Sequence, residues 1–367
     1  MKAIHIELGR HLYGGARQVS YLLNGLGAFP GEHVLVCRAG AEVAGAVKNP
    51  GVRVRPLPFR GDHDLVFIGR LRRVIREEQP DLLHVHSRSG DYLAALAGRL
   101  EHIPMVHSRR VDNPPRWFDI RWKFPLFERI VTISEGIRAV LLSAGLPDAQ
   151  VVCVPSAVDT ERYRPGGERD WFLREFGLAE NALVIGVIAQ LIPRKGHEVL
   201  FDALPEILAR HPALSVLLFG KGPLEAELRR EVQARGYQGR VVFAGYRADM
   251  RRVIPCLDLV AHPAWMEGLG VSLLETAACG VPIVAARAGG IPEIVHHGVN
   301  GRLIEPGDSR ALADHLEELL SSAERRREFG EAGRRLVLER FAVERMVAGN
   351  YGVYRAMVER RTGQISG

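Results

Sequence analysis

With 367 residues, 47 % hydrophobic and 25 % charged, the chain has the composition of an ordinary globular protein and the length of two domains, or three. Its four cysteines lie far apart without a C-x-x-C pair, which argues against a disulfide framework or a zinc knuckle and fits a reducing, cytoplasmic setting. The net charge of +6 comes from residues 1–165, with 23 Lys and Arg against 17 Asp and Glu. Such a basic surface attracts phosphate, nucleic acid or anionic lipid, or is simply solvated.

The chain starts without an apolar signal-peptide core, because charged side chains stand at Glu7 and Arg10. No later stretch reaches the roughly 18 apolar residues that a membrane-spanning helix needs. We therefore expect a protein that neither is secreted through a signal peptide nor spans a membrane.

The first half alternates short runs of β-forming residues with longer segments whose apolar residues recur at helical spacing. Strands are predicted at 2–8, 32–38, 52–57, 81–87, 104–110, 129–134 and 151–158, with helices in segments such as 67–79 and 90–102. Strands that alternate with helices predict a mostly parallel sheet covered on both faces.

The polar stretch 159–172 contains Pro165-Gly166-Gly167 and is predicted to be a linker without a helix or strand. A second alternating series follows, and the last stretch, 308–361, predicts three helices. The strands of this series are predicted at 182–191, 214–220, 240–246, 257–263 and 281–286.

These elements predict an α/β protein with two doubly wound, Rossmann-like domains. The expected organisation is a first domain at 1–160, a linker at 161–180, a second domain at 181–340, and a C-terminal helix within 341–367 that can return to the first domain. Sheets of this class bind ligands at the carboxyl ends of their strands, so we expect the two domains to face each other across a cleft that holds the active site.

Two cations follow the first strand of the second series. The turn Pro193-Arg194-Lys195-Gly196 lies just before a helix that starts near His197. Exposed N–H groups, the helix dipole and the Arg and Lys side chains all favour an anion, so this turn is a candidate diphosphate site. A solvated basic turn is the alternative.

The next strand runs into a glycine turn, Gly220-Lys221-Gly222-Pro223. Glu225 occupies the third glycine position of a dinucleotide fingerprint, so the segment is not that motif. We expect Gly220 and Gly222 to allow close approach of the backbone to a ligand.

The strongest signal is the segment H-P-A-W-M-E-G-L-G-V-S-L-L-E-T-A-A-C-G-V-P at 262–282. It places Glu267 in a glycine-bounded loop and Glu275 in the second turn of a helix that begins at about Leu269. The surrounding helix is almost wholly apolar, so Glu275 is expected to be paired or to bind hydroxyl groups of a ligand.

The spacing of these two glutamates resembles the E-x7-E motif of the retaining glycosyltransferases of family 4, which have the two-Rossmann architecture called GT-B. Further segments are similar to motifs of that family and stand in the same order, at 190–196, 220–223, 243–245 and 289–301. The resemblance implies that the first domain binds the acceptor and that the second binds a nucleoside-diphosphate sugar, the donor substrate, with no separate cofactor.

The resemblance also implies roles for single residues. Glu275 would bind the ribose hydroxyls, Glu267 the hydroxyls of the donor sugar, and Lys195 with Arg194 the diphosphate. The family usually has Arg where this chain has Gln190, so part of the charge that faces the phosphates must come from elsewhere. Backbone N–H groups at the start of the Glu275 helix would add to the diphosphate site, from Gly268, Leu269 and Gly270.

In the first domain, strand 2–8 leads through Gly14 and Gly15 into a helix. Paired glycines there let the backbone approach a transferred sugar or phosphate, and the family has a similar turn. His107, at the end of strand 104–110, looks like the active-site histidine of the family, although a histidine at a strand end is often structural. We therefore assign His107, Glu267 and Lys195 as catalytic candidates.

No metal ion is expected. His84 and His86 share one face of their strand, but the sequence shows no third ligand, so we interpret them as core or cleft residues. Asp62-His63-Asp64 has the D-x-D form of metal-dependent glycosyltransferases of another fold. It also precedes the helical stretch 65–79, where Asp is the expected N-cap.

The expected function is that of a retaining hexosyltransferase, which moves a sugar from a nucleotide sugar, preferably a UDP-sugar, to a glycan or glycolipid acceptor. Segments 107–112 and 133–138 resemble bacterial enzymes that build lipopolysaccharide or other cell-envelope glycans. The alternative is a nucleotide-sugar epimerase of the same architecture, which transfers no sugar to an acceptor. No nucleic-acid-binding motif is present, so we expect no nucleic-acid partner.

Cations alternate with aromatic residues in the segment 109–124, which includes Trp117, Phe118, Trp122 and Phe124. Aromatic rings seat at the headgroup boundary of a bilayer while Arg and Lys reach lipid phosphates, so peripheral contact with an anionic membrane is one expectation. In the alternative, the aromatics pack on their own sheet and the arginines line an acceptor pocket for a phosphorylated sugar.

Overall fold

Two parallel β-sheets organise the protein in the computed structural model, which describes residues 1–361 and 363. Each sheet belongs to one of two compact units. Unit 1 comprises Met1–Ala157 and the C-terminal segment from Val343, and unit 2 comprises Val158–Ala342.

The sheet of unit 1 has seven strands in the order β3-β2-β1-β4-β5-β6-β7, paired in parallel. The strands are β1 (Lys2–Glu7), β2 (Glu32–Arg38), β3 (Val52–Leu57), β4 (Leu82–Val85), β5 (Met105–Arg109), β6 (Arg129–Thr132) and β7 (Val151–Cys153). The helices that follow them are α1 (Gly14–Gly25), α2 (Val43–Ala46), α3 (Leu65–Glu78), α4 (Asp91–Leu100) and α5 (Glu135–Ser143).

Both faces of this sheet are buried, as a parallel sheet requires. Alternate residues of one strand point to opposite cores: Ile4 packs with Phe67 of α3 on one face, while Ala3 packs with Leu22 of α1 on the other. The predicted parallel sheet with two covered faces is confirmed. The last strand was predicted at 151–158 but ends at Cys153.

The sheet of unit 2 has six strands in the order β10-β9-β8-β11-β12-β13, also paired in parallel. The strands are β8 (Val184–Ile188), β9 (Ser215–Phe219), β10 (Val241–Gly245), β11 (Leu259–His262), β12 (Ile283–Ala286) and β13 (Gly301–Ile304). The helices are α6 (Arg169–Phe176), α7 (His197–Arg210), α8 (Glu225–Ala234), α9 (Met250–Val253), α10 (Val271–Ala278), α11 (Ile291–Ile294), α12 (Ser309–Ser321) and α13 (Ala323–Arg340).

Two of these elements differ from the prediction. Helix α6 starts inside the stretch predicted to be an irregular linker, and it buries Phe172 and Leu173. Strand β13 is missing from the predicted series because it begins with glycine and arginine and has only two apolar residues. The three helices predicted for the last stretch are present, since α12 and α13 are followed by α14 (Val343–Arg361).

Helix α14 belongs to unit 1, although it follows unit 2 in the chain. Tyr354 is fully buried in the core beside α1. Its hydroxyl shares a 2.6 Å hydrogen bond with Nδ1 of His84 on β4. Helix α14 is therefore tied to β4, in the middle of the first sheet. Among the described residues, no helix combines the length and apolar character needed to span a bilayer.

We expect Tyr354→Phe to lower the free energy of unfolding by about 1–3 kcal/mol, because it leaves a buried ring nitrogen of His84 without a partner. Tyr351→Phe is the matched control. The Tyr351 hydroxyl donates to the Pro30 carbonyl at 3.2 Å near the surface, so water can replace that bond. Urea unfolding of both variants checks this, and equal losses of stability would contradict the anchoring role of Tyr354.

Candidate functional site

The basic turn after β8 is a single 3₁₀ turn, Pro193–Lys195, closed by Gly196. Gly196 has φ of +67°, and a Cβ there would lie 2.0 Å from the carbonyl oxygen of Pro263. Only glycine permits this approach. The N–H of Trp265 donates to the Arg194 carbonyl at 2.9 Å. The loops after β8 and β11 are thus fastened together, and helix α7 begins at His197, where it was predicted.

This arrangement brings two predicted site residues into contact. Lys195 is 8 % exposed, and its ammonium forms an ion pair with Oε2 of Glu267. The same oxygen lies 3.0 Å from Nε2 of His262, and the N–H of Gly268 donates to Oε1 at 3.1 Å. Glu267 therefore holds donors on both carboxylate oxygens.

The surroundings keep Glu267 ionised. Burial alone would raise its pKa, but the hydrogen bond and charge of His262, followed by the charge and hydrogen bond of Lys195, outweigh burial and lower the pKa to about 2. A carboxylate with so low a pKa is a weak base. It remains a good acceptor for hydroxyl groups.

The glycine pair after β12 fixes the backbone of the same glutamate. Gly289 has φ of +52°, and a Cβ on it would lie 1.7 Å from the Glu267 carbonyl oxygen. The N–H of Gly290 donates to that oxygen at 3.3 Å. The sequence marked 289–295 as a motif but did not indicate that it holds Glu267.

Two histidines in this region were missed as site residues. His262, the last residue of β11, precedes Glu267 by five positions, and that spacing was the available signal. His197 is 1 % exposed, and neither ring nitrogen has a hydrogen-bond partner. Burial, with the charges of His262 and Lys195, lowers the pKa of His197 to about 4, so its ring is neutral.

Helix α10 carries the second glutamate of the motif. It starts at Val271, two residues later than predicted, because Gly270 has φ of +93° and cannot continue a helix. Ser272 donates to the Ile188 carbonyl at 3.1 Å and anchors the helix start to the end of β8. Glu275 lies half-buried in the second turn, as predicted. Its ribose-binding role stays a prediction, as do the N–H contacts expected from the residues before α10, namely Gly268, Leu269 and Gly270.

The glycines of the turn after β9 approach the protein's own backbone. A Cβ on Gly220 would lie 1.9 Å from the Ala189 carbonyl oxygen, and one on Gly222 would lie 2.2 Å from that of Leu191. The N–H of Leu191 donates to the Lys221 carbonyl at 3.1 Å. These glycines fasten neighbouring loops, and their contact with a ligand remains a prediction.

Unit 1 has a cavity of about 880 Å³ at the carboxyl ends of its strands, and Gly15 and His107 are among the residues that line it. His107 is buried on β5, with its ring 4.9 Å from that of Phe127 and its Nδ1 without a partner. Burial, with the nearby cations of Lys123, Arg109 and Arg110, lowers the pKa of His107 to about 3. A neutral His107 facing a cavity is compatible with a catalytic role, which stays a prediction.

Gly14 and Gly15 are the first two residues of helix α1, which was predicted to start just after them. A Cβ on Gly15 would lie 3.5 Å from Cδ of Arg110, and one on Gly14 would have no described atom within 4 Å. Within the described residues, no close contact makes glycine necessary at either position. The expectation that they let a ligand approach the backbone remains a prediction.

His84 and His86 acquire a third histidine in the fold, His5 on β1. Each of the three histidines offers one ring nitrogen, and these three nitrogens lie within 4.8 Å of one another. At that spacing they could hold a metal ion. All six ring nitrogens already have hydrogen-bond partners. Outside the cluster, the three histidines form hydrogen bonds with His33, Ser108 and Tyr354. The cluster is a buried polar network that is satisfied as it stands, in line with the core interpretation.

The D-x-D segment is divided between two roles. Asp64 occupies the N-cap position of α3, but its side chain makes no capping bond to a backbone N–H of the helix. It accepts instead from the Arg60 N–H at 3.0 Å and from Arg70 at 3.4 Å. Asp62 accepts from Gly90 N–H at 2.7 Å. The expected capping bond is therefore wrong, although the position is right.

Comparison with known proteins gives the family. The model described as "Glycosyltransferase Family 4" matches residues 13–162, and that described as "Glycosyl transferases group 1" matches residues 169–336. A GDP-mannose-dependent alpha-(1-6)-phosphatidylinositol monomannoside mannosyltransferase of Mycobacterium tuberculosis is 31 % identical over 76 % of this chain and 77 % of its own. The chain belongs to the family 4 glycosyltransferases. Membership favours the transferase over the epimerase.

Two further similarities agree. The N-acetyl-alpha-D-glucosaminyl L-malate synthase of Bacillus anthracis is 26 % identical to this glycosyltransferase, over 80 % of this chain and 79 % of its own. The crystal structure of Anabaena HepE in complex with UDP and glucose matches with a TM-score of 0.84 and 21 % identity, covering 97 % of this chain and 100 % of that one. At that identity the likeness establishes the fold, and the predicted GT-B class is confirmed.

The free energy of unfolding of the glycosyltransferase should fall as the pH drops below 6.5. Burial holds the pKa values of His5, His84 and His86 well below 6.5 in the folded state. The unfolded chain then takes up protons that the folded chain does not, so each histidine costs up to about 1.4 kcal/mol per pH unit. Urea titrations at pH 7.5, 6.5 and 5.5 measure the slope. His86→Gln should reduce it, whereas a variant at the exposed His63 should not; equal slopes would contradict this assignment.

Proposed function

We propose that this glycosyltransferase moves a sugar from a UDP-sugar to a glycan or glycolipid acceptor of the cell envelope, with retention of the anomeric configuration. The observation that carries the proposal is the buried cluster of Lys195, Glu267 and His262. It lies where the loops after β8 and β11 meet, beside the start of the helix that carries Glu275.

The cluster suits a donor sugar. A carboxylate that stays charged binds sugar hydroxyls through charge-assisted hydrogen bonds, and the three donors to Glu267 fix its orientation in advance. The N–H groups before α10, together with the exposed Arg194, would face the diphosphate. Lys195 is engaged with Glu267, so we assign it a shared role that orients the carboxylate and adds positive charge.

The same geometry bears on the mechanism. A covalent intermediate needs a free nucleophilic carboxylate, whereas Glu267 is hydrogen-bonded on both oxygens and has a pKa of about 2. We therefore propose front-face departure. The leaving diphosphate takes the proton of the acceptor hydroxyl, and the new bond forms on the face that the diphosphate leaves.

The choice of nucleotide base rests on one structural neighbour. HepE binds UDP, whereas the mycobacterial relative is GDP-mannose-dependent. We favour UDP. The acceptors that the relatives' names give, a phosphatidylinositol mannoside and malate, are both anionic, which suits a basic acceptor domain.

Unit 1 also presents a surface suited to a membrane. Trp117, Phe118 and Trp122 are 73 %, 45 % and 51 % exposed, and the guanidinium of Arg121 lies 4.9 Å from the centre of the Trp122 ring. Phe124 does not take part, because it is buried at 1 % exposure. We propose that these aromatic and basic residues attach the enzyme peripherally to the cytoplasmic face of an anionic membrane.

The free state of all four cysteines supports a reducing compartment.

Glu275→Gln should keep the fold but weaken UDP binding about tenfold or more, because the charge-assisted bonds to the ribose are lost. Calorimetric titration with UDP and with GDP measures this, with Glu180→Gln at an exposed position as the matched control. Unchanged affinity in Glu275→Gln would remove Glu275 from the donor site, and tighter binding of GDP would overturn the choice of base.

Incubation of the enzyme with an α-linked UDP-sugar and an acceptor extract should give an α-linked product by NMR. A β-linked product would contradict retention. Conversion of the donor sugar to another sugar in the absence of acceptor would instead identify an epimerase.

Flotation with vesicles should recover the enzyme with anionic but not with neutral lipid, and salt should weaken the recovery. The double substitution of Trp117 and Trp122 by Ala should reduce it severalfold. Tyr246→Ala, a 56 % exposed aromatic in unit 2, is the control. Recovery that is independent of lipid charge, or absent, would reject the membrane surface.

A further inference from the structure

The unit 1 cavity gathers arginines at the ends of two adjacent strands. Arg88 follows β4, while Arg109 ends β5 and Arg110 follows it. All three line the cavity. Strands β4 and β5 are parallel neighbours, so their carboxyl ends lie at one edge of the sheet. Three guanidinium groups therefore stand around one cavity.

The carboxylates of this cavity are engaged elsewhere. Asp91 and Asp119 both pair with Lys123, at 3.2 and 2.9 Å. Asp62 accepts hydrogen bonds from the Ser89 hydroxyl and the neighbouring Gly90 N–H, at 2.8 and 2.7 Å. Glu7, which also lines the cavity, accepts from the Gly9 N–H at 2.9 Å and acts on Arg110 through its charge. The acidic side chains around the cavity thus satisfy other donors, and none forms an ion pair with the arginines.

Arg109 and Arg110 have unused donors. The Arg109 side chain is 7 % exposed and donates to the Asn113 carbonyl at 2.6 Å, but its Nε has no partner. The Nε of Arg110 is likewise buried without a partner. Within the described residues, no carboxylate lies within ion-pair distance of Arg88, Arg109 or Arg110. Buried cations without a contacting anion are costly, and an anionic ligand would offset that cost.

The electrostatic surroundings agree with this geometry. Burial lowers the pKa values of the Arg109 and Arg110 guanidinium groups, although the charge of Asp119 opposes this effect at Arg109 and that of Glu7 opposes it at Arg110. The charge of Arg88 lowers the pKa of Arg109 further. Arg88 and Arg109 are therefore like charges close enough to repel each other. Arg110 also lies beside Gly15, at the start of α1, whose amino end has no side-chain cap. The helix dipole adds positive potential there.

We propose that the acceptor carries a phosphate group and that Arg88, Arg109 and Arg110 bind it in the unit 1 cavity. The inference rests on the proposed function, which makes unit 1 the acceptor-binding unit. Guanidinium groups match phosphate oxygens in pairs, so several arginines around one cavity favour phosphate over a single carboxylate. Bound in this way, the phosphate would fix the orientation of the acceptor hydroxyl.

Inorganic phosphate is the probe, measured by calorimetric titration of the full-length protein with and without saturating UDP. We expect phosphate to bind in both conditions. Arg110→Gln should weaken binding about tenfold or more, and Arg88→Gln, at an exposed side chain, should weaken it with little effect on folding. Arg73→Gln, an exposed arginine outside the cavity, should leave it unchanged.

The outcomes separate the two proposals. Displacement of phosphate by UDP would overturn the inference, because the arginines would then serve the donor diphosphate. An adventitious interaction, unchanged in Arg88→Gln and Arg110→Gln, would also overturn it. Loss of UDP binding in the wild type would instead reject the proposed function. Comparison of glycerol 3-phosphate with glycerophosphoglycerol then shows whether the cavity takes a monoester or the diester of a lipid headgroup.

Discussion

Charge compensation at Glu267 is the constraint on which the second unit's site depends. The side chain is 15 % exposed, and an ionised carboxylate in such a place costs several kcal/mol unless it is paired. Lys195 and His262 supply the pair. To bring them there, the loops after β8, β11 and β12 must touch, and Gly196 and Gly289 are the positions where a side chain would prevent that contact.

The sequence predicted the structure correctly where the burial and conformation of a residue follow from its neighbours along the chain. The near-continuous apolar runs of β1, β2 and β9 predict buried parallel strands, and the family motifs predict a glutamate loop followed by a helix. Helix α6 was missed because its apolar contacts, Phe172 and Leu173, sit among charged residues. Strand β13 was missed because its first two residues, glycine and arginine, leave only two apolar residues to form a pattern.

The candidate site was predicted as a set of residues but not as a set of contacts. Lys195 was assigned to the diphosphate and Glu267 to the sugar, whereas the fold pairs them with each other. His262 stands five positions before Glu267, but this spacing alone does not show that the loop folds back and joins them. His5 approaches the other two histidines only because β1 lies beside β4 in the sheet. Such contacts depend on loop conformation and strand order.

The discontinuity of unit 1 affects how the chain folds during synthesis. Unit 2 is one uninterrupted segment, Val158–Ala342, and its core can close as soon as that segment has left the ribosome. Unit 1 lacks α14 until unit 2 has been translated, so one face of its sheet is uncovered at the position that Tyr354 later fills. While unit 2 is being synthesised, the nascent chain therefore exposes an apolar surface together with His5, His84 and His86, which are buried in the complete fold. Aggregation is therefore expected to compete with completion of the fold until α14 packs beside α1.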